Sequence, residues 1–293
     1  MTAYSSKQLG STASWSRSSR LIALSLAVGL GSVAIVRSLA GDAEGPTTRE
    51  VREERSEPAA PSPLERRAQE LRNFVGNRMV VQAMSDFAQA FSTLEAELAP
   101  ERERYERELR EHDFESSAQL TAGPIEEESP AARALPHSAA GRLLQAMFIA
   151  QNPFGANDRE TFEVSYADSA YSAAHEKYHV VLRAYRRARG LADVYLFNRE
   201  GHLVYSVRKQ REFGVIVDHP LLRGSDAARA FRAALEEAPS VEAAQLSQAD
   251  SSSSSSSACL GAPIFDGDSL VGVAVFRLGA EQAMELEPDR LPR

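Results

Sequence analysis

Cysteine is nearly absent: Cys259 is the single one in 293 residues. No disulfide can close within the chain, and a cysteine-based zinc site would need more thiols. A basic excess is missing too. The net charge is −8, whereas nucleic-acid binding usually needs a basic face, so nucleic acid is not an expected partner. No G-x-S-x-G, no Walker-type phosphate loop and no G-x-G-x-x-G occurs. What is present is an ordinary composition, 43% hydrophobic and 25% charged, enough to build a core in one or two domains.

One long apolar run stands out, Leu21 to Val36, broken only by Ser25 and Ser32. Lys7, Arg17 and Arg20 precede it without an acid, and the first acid is Asp42. Basic residues on that side hold it in the cytoplasm. The expectation is a cytoplasmic basic tail over 1–20, an anchor over 21–36 and the bulk of the chain in the periplasm. This describes a single-pass protein of the bacterial inner membrane. The run is shorter than the roughly 20 residues a spanning helix wants and longer than the apolar core of most signal peptides. Ser38-Leu39-Ala40 suits cleavage and Arg37 does not, so an uncleaved anchor is expected, with secretion to the periplasm as the alternative. No cysteine follows the run, which excludes a lipoprotein anchor. No second run of spanning length follows either. Residues 37–63, with Pro46, Pro58, Pro61 and Pro63, read as a disordered linker.

Residues 64–115 predict a long helix. Met84, Phe87, Phe91, Leu94 and Leu98 recur at spacings of 3, 4, 3 and 4, preceded by Leu71, Val75 and Met79. Pro100 interrupts this stripe, and the paired charges of 101–115 read as a solvated helix. The stripe over 64–98 is either a homodimer seam or the face that docks on a globular domain. Residues 116–138 read as a loop, and 139–280 as the globular domain before a tail, 281–293.

That domain opens with a short helix, Ala139 to Ile149, stopped at Asn152-Pro153-Phe154-Gly155. A longer helix runs from about Ser169 to Arg189. It places Tyr171, His175, Tyr178, Val181, Leu182 and Tyr185 on one face, with Asp168 or Ser169 as its cap and Gly190 as its stop. The period then changes to two. Asp193 to Phe197 and His202 to Val207 predict a hairpin turning at Asn198-Arg199-Glu200-Gly201. A helix from Asp226 to Glu237, a weaker strand from Val241 to Leu246, and a hairpin of Ala258–Phe265 with Ser269–Leu278 complete an α+β domain with one antiparallel sheet. Ser251 to Ser257, seven serines in a row, predict a surface loop.

His175-Glu176-Lys177-Tyr178-His179 matches H-E-x-x-H, which in zinc proteases sets two imidazoles one turn apart with the glutamate as base. Its histidines lie among tyrosines on an apolar face, and Glu200 or His202 would have to supply a third ligand. Packed histidines are therefore the expectation, with a zinc site of His175 and His179 only as an alternative. Neither catalytic residue nor cofactor is expected. Cys259, in an apolar strand, reads as an inert buried thiol.

Tyr171-Ser172-Ala173-Ala174-His175 through Tyr178-His179, then Asp193-Val194-Tyr195-Leu196-Phe197 and Gly201 to Val207, resemble the extracytoplasmic Cache (PAS-like) sensor region of methyl-accepting chemotaxis proteins and related receptor cyclases. Asn152-Pro153, Phe213-Gly214, Ala230-Phe231 and Ala262-Pro263-Ile264-Phe265-Asp266-Gly267 followed by Leu270-Val271-Gly272-Val273 continue it in order. The resemblance implies a long N-terminal helix packed on a PAS-like, five-stranded antiparallel sheet. It also implies a small-molecule ligand of unknown identity. The expected pocket lies between the 169–189 helix and the sheet, lined by Tyr171, His175, Tyr178, His179, Tyr195 and Tyr205. The chain reaches Arg293 without a signalling domain, so a separate signalling receptor is an expected partner. A degenerate sensor domain that only contacts another membrane receptor is the alternative.

Overall fold

The computed structural model describes residues 60–112, 135–236, 245–247 and 258–286, all within the compact unit Glu57–Arg293. The apolar run 21–36, most of the linker, residues 116–134 and the serine run lie outside the described residues. Among the described residues no helix is long and apolar enough to cross a membrane.

The expected long helix is three. Helix α1, Pro63–Val75, begins at a capping box in which Ser62 and Glu65 bond each other's backbone N–H, with Pro63 in the first turn. It ends at Gly76, and Asn77 caps a new helix, α2 (Arg78–Glu97), by accepting from the Met79 N–H at 2.9 Å. Pro100 sits in a 3₁₀ turn before α3, Arg102–Glu111. The apolar stripe is buried inside the chain. Leu71, Phe74, Met84, Phe87 and Leu94 are all under 5% exposed and lie against the sheet and the later helices. Burying each such side chain stabilises by roughly 1.5–3 kcal/mol, far more than helix propensity supplies over a helix of this length. Docking, not pairing between copies, occupies that face.

Helix α4, Ala139–Gln145, continues as a π-turn over Ala146–Ala150. Helix α5 is Ala170–Ala188, and Ser169 rather than Asp168 caps it, accepting from the Ser172 N–H at 3.1 Å. The sheet follows: β1 (Asp193–Asn198), β2 (Leu203–Ser206), helix α6 (Asp226–Glu236), β3 (Gln245–Ser247), β4 (Cys259–Asp266) and β5 (Ser269–Arg277). Helix α7, Ala280–Leu286, forms where a tail was expected. Every pairing is antiparallel, in the order β2-β1-β5-β4-β3, and the expected α+β class is found.

Both faces of the sheet are covered, so β1 is buried at every residue. On one face α1, α2, α4 and α5 form a thick layer over Val194, Leu196, Leu260, Ala274 and Phe276. On the other, α6 and the 208–225 loop form a thin cover over Tyr195, Phe197, Val273 and Val275. Each face relies on a glycine at its closest helix crossing. A Cβ on Gly272 of β5 would lie 2.5 Å from the Met84 sulfur of α2, and one on Gly261 of β4 would lie 2.3 Å from the Ala230 carbonyl of α6.

Candidate functional site

Five of the six expected ligand residues meet on the thick side, because α5 carries four of them at helical spacing onto the sheet, where β2 presents Tyr205. Tyr171 donates to the Val204 carbonyl at 2.5 Å, and Tyr178 donates to the Asp86 carboxylate of α2 at 2.6 Å. Phe87 stacks on Tyr205 at 4.7 Å between ring centres and touches both other tyrosines. Val181, expected on this face, is half exposed instead, while Arg183 swings inward to the Glu160 carbonyl and the Glu163 carboxylate.

The histidines stack at 4.2 Å, and their bonds fix opposite tautomers. His175 Nδ1 lies 2.9 Å from the Glu163 carbonyl, which can only accept. The proton is therefore on Nδ1, and the lone pair on Nε2 is buried without a partner. His179 Nε2 lies 2.8 Å from the Glu160 carbonyl and so carries the proton, leaving Nδ1 to accept from the Tyr205 hydroxyl at 2.8 Å. Burial, reinforced by the nearby Lys209 charge, holds His175 well below the usual histidine range and His179 down at about 2. Both rings are neutral.

Lys209 completes this cluster, and nothing in the sequence marked it. Its ammonium stem is fully buried. Nζ lies 3.4 Å from each nitrogen of His179, over the ring, and 3.3 Å from the Val207 carbonyl. Among the described residues no salt bridge to a carboxylate reaches it. Burial pulls its pKa down to about 7, against the attraction of Asp193. Its backbone, at φ 51°, is held by a buried pair. Asp193 accepts from the Val194, Val207 and Arg208 N–H groups and from the Ser206 hydroxyl, which in turn accepts from the Lys209 N–H. Burial raises the Asp193 carboxyl to about 6, opposed by those hydrogen bonds.

The H-E-x-x-H spacing gives no zinc geometry here. Glu176 points to solvent from the far side of α5, and both nitrogens of His179 are engaged. His202, a suggested third ligand, rests its ring 5.1 Å from Phe91 instead. Among the described residues no three potential ligands cluster.

Tyr195, the sixth expected residue, faces the opposite way. Strand residues alternate, so Tyr195 goes with Phe197 to the thin side while Val194 and Leu196 join the histidines. There it lines a cleft of about 220 Å³ with Glu212, Leu221, Leu222, Gly224, Ser225, Asp226, Arg229, Cys259 and Arg277. The Tyr195 hydroxyl donates to Glu212 Oε1 at 2.5 Å and accepts from Arg277 Nη1 at 3.4 Å. Arg277 and Glu212 are 3.8 Å apart. Burial and the Glu212 charge hold the Tyr195 hydroxyl far above its usual range, and Tyr195 with Glu212 raises Arg277 further. Asp226 and Arg229 pair with each other at the start of α6. Cys259 forms part of the wall, and burial pushes its thiol up to about 12, so it is no nucleophile.

Sequence reasoning missed Glu212 and Arg277. The first lies in a stretch without periodicity, and the second ends an apolar strand, where a cation normally marks the exit to water. Comparison with protein-family models, curated proteins and solved structures finds no match to the chain.

Proposed function

We propose that this chain is a membrane-anchored, extracytoplasmic sensor module of the Cache (PAS-like) type, non-catalytic. The observation that carries the reading is the division of labour across the sheet. An antiparallel sheet in the order β2-β1-β5-β4-β3 bears a long helical layer on one face and a charged cleft under a thin cover on the other. This fits the architecture that the sequence resemblance implies. The ordered motifs from Tyr171 to Val273 and the basic-then-apolar start of the chain support the same reading. The ligand site within it is the cleft beside Tyr195. Tyr171, His175, Tyr178, His179 and Tyr205 are core, because apart from His175 Nε2 their polar atoms are taken up by one another, by backbone carbonyls and by Asp86.

Two measurements test the reading. A C-terminal tag on the full chain is expected to sediment with membranes and to be digested by protease added to permeabilised cells; a tag that stays protected would place the domain on the wrong side. The detergent-solubilised full chain is expected to gain thermal stability from at least one member of a broad metabolite panel. Complete silence across that panel would remove ligand sensing. The second reading, a degenerate domain that contacts another receptor, draws on Val180 and Val181, both more than 40% exposed on the outer face of α5. Crosslinking from that face in membranes separates the two, since a partnerless protein excludes it.

A further inference from the structure

Residues 159–165 lie across α5 as a strap over the two histidines, and the strap's grip is mostly polar. Its Glu163 carbonyl accepts from His175 Nδ1 at 2.9 Å, and its Glu160 carbonyl accepts from His179 Nε2 and Arg183 Nη1, each at 2.8 Å. The Glu163 carboxylate pairs with Arg183, and that of Glu160 with Arg186 at 3.0 Å and Arg187 at 2.8 Å. Phe162 is its large buried apolar side chain, with its ring 6.1 Å from that of Phe148. Val164 stays 53% exposed, and Tyr166, just beyond the strap, 77%. With so little apolar area covered, closure depends on the polar contacts.

Those contacts need neutral imidazoles. A proton added to His175 Nε2 would be buried with no acceptor, because that atom has no partner. A proton added to His179 Nδ1 would displace the hydrogen bond it accepts from the Tyr205 hydroxyl. The groups facing the rings add to this cost. Lys209, on the loop after β2, sets Nζ 3.4 Å from each nitrogen of His179, and Arg183 and Arg187 approach along α5. The strap's own carboxylates, Glu160 and Glu163, are engaged by arginines, and Asp193 of β1 is engaged by Ser206 and backbone N–H groups. Tyr171 and Tyr205 are uncharged, since burial holds their hydroxyls far above the usual range. Phe148 covers His175 with its ring centre 4.4 Å away, and Tyr205 closes on His179 from the sheet. The strap is the remaining cover, so water reaches the rings when it lifts.

We propose that residues 159–165 form an acid-released strap, in which protons on His175 and His179 are accommodated only once the strap has lifted from α5. This goes beyond the sensor reading and does not depend on it.

A histidine returned to its ordinary value near 6.5 raises the open population about tenfold between pH 7.5 and 5.5, and two raise it about a hundredfold. Lys209 takes up a proton in the closed state over the same window and offsets part of this, so a net rise of about tenfold is expected. Hydrogen exchange with mass spectrometry on the full chain in detergent, corrected for the intrinsic rate at each pH, reads it. Protection at Thr161, Phe162 and Ala167 should fall about tenfold from pH 7.5 to 5.5, while Val273 to Phe276 of β5 change less than about threefold. In the double variant His175→Asn, His179→Gln, the side-chain amides can donate to the same two carbonyls without titrating, and strap protection should be equal at both pH values. Wild-type strap protection that does not change would overturn the proposal. So would an equal loss in the strap and β5, which marks unfolding of the whole domain, or a wild-type-sized loss in the double variant. The wild-type comparison decides by itself if that variant does not fold.

Discussion

The two faces of the sheet handle buried polarity in opposite ways. Beneath the thick helical layer, two histidines, three tyrosines and Lys209 are buried, and with the exception of His175 Nε2 their hydrogen bonds close on one another, on backbone or on Asp86. Beneath the thin cover, Glu212 bonds through one carboxylate oxygen and Arg277 through one of its three side-chain nitrogens, and both line an open cleft. Polar residues at the first face look like a site in the sequence and serve as core in the fold. At the second face they look like surface and form the cleft. Buried ionisable groups mark a ligand site only where a cavity leaves them something to bind.

The largest test of this contrast is steric. Gly272→Ala should destabilise the protein by about 3 kcal/mol or more in urea unfolding, because the added Cβ meets the Phe197 carbonyl at 2.4 Å and Met84 at 2.5 Å. Gly261→Ala, at the matching crossing on the thin side, should displace α6 at lower stability cost. Equal stability losses would mean that the cover on the thin side is as rigid as the helical layer.

Next in size is the alkaline slope. The folded pKa of Lys209, about 7, lies below the ordinary 10.5, so between these values the unfolded chain binds a proton that the folded chain does not. Stability should therefore rise from pH 7 to 9 by roughly 2–3 kcal/mol. Lys209→Met should flatten that rise. A wild-type protein whose urea midpoint does not change over this window would show that the amine reaches water.

The acid side should have a similar slope. Below pH 6.5 the folded state excludes protons from His175 and His179, which destabilises it as pH falls. Between about 6 and 3.8 it holds one on Asp193 that the unfolded chain has released, which works the other way. Two against one leaves about one net proton, or ~1.4 kcal/mol lost per pH unit between 6 and 4. Urea midpoints at half-unit steps measure it, and His175→Phe should bring the slope near zero. The smallest effect belongs to the exposed rim of the thick face. Lys177→Ala breaks an ion pair with Asp86 at 3.1 Å that is open to solvent, and the urea midpoint should hardly move in the same assay.

Much of this fold was legible because it follows short-range periods. The 3-and-4 spacing of Met84, Phe87, Phe91 and Leu94 found α2, and the histidines and tyrosines of α5 fell on its inner face as expected. Both hairpins turn where Gly201 and Gly267 supply positive φ. The break between α1 and α2 was hidden because the apolar stripe runs on through Val75 and Met79, although Gly76-Asn77 is a stop followed by a cap. Strand β3 begins at Gln245, near the end of the stretch read from Val241 to Leu246. The site was less legible. Tyr195 was grouped with the residues of α5, although strand alternation sends it to the other face. Lys209, Glu212 and Arg277 gain their roles only from contacts far along the chain, which no local pattern encodes.

Lys209 and Glu212 lie on opposite faces yet only three residues apart, on the loop that rounds the edge of the sheet after β2. Three residues reach at most about 11 Å, so the loop has little slack. Gln145 pins it on either side of Glu212 by donating to the carbonyls of Arg211 and Phe213 at 2.7 and 2.8 Å. A ligand that draws on Glu212 therefore pulls on the same short tether that seats Lys209 against α5. Proton and ligand become two loads on one beam, and thermodynamic reciprocity requires each to change the other's affinity by the same factor. The affinity of any panel metabolite that stabilises the protein, measured at pH 6.5 and 8.5, reads that factor directly, and identical values would show that the two faces do not communicate.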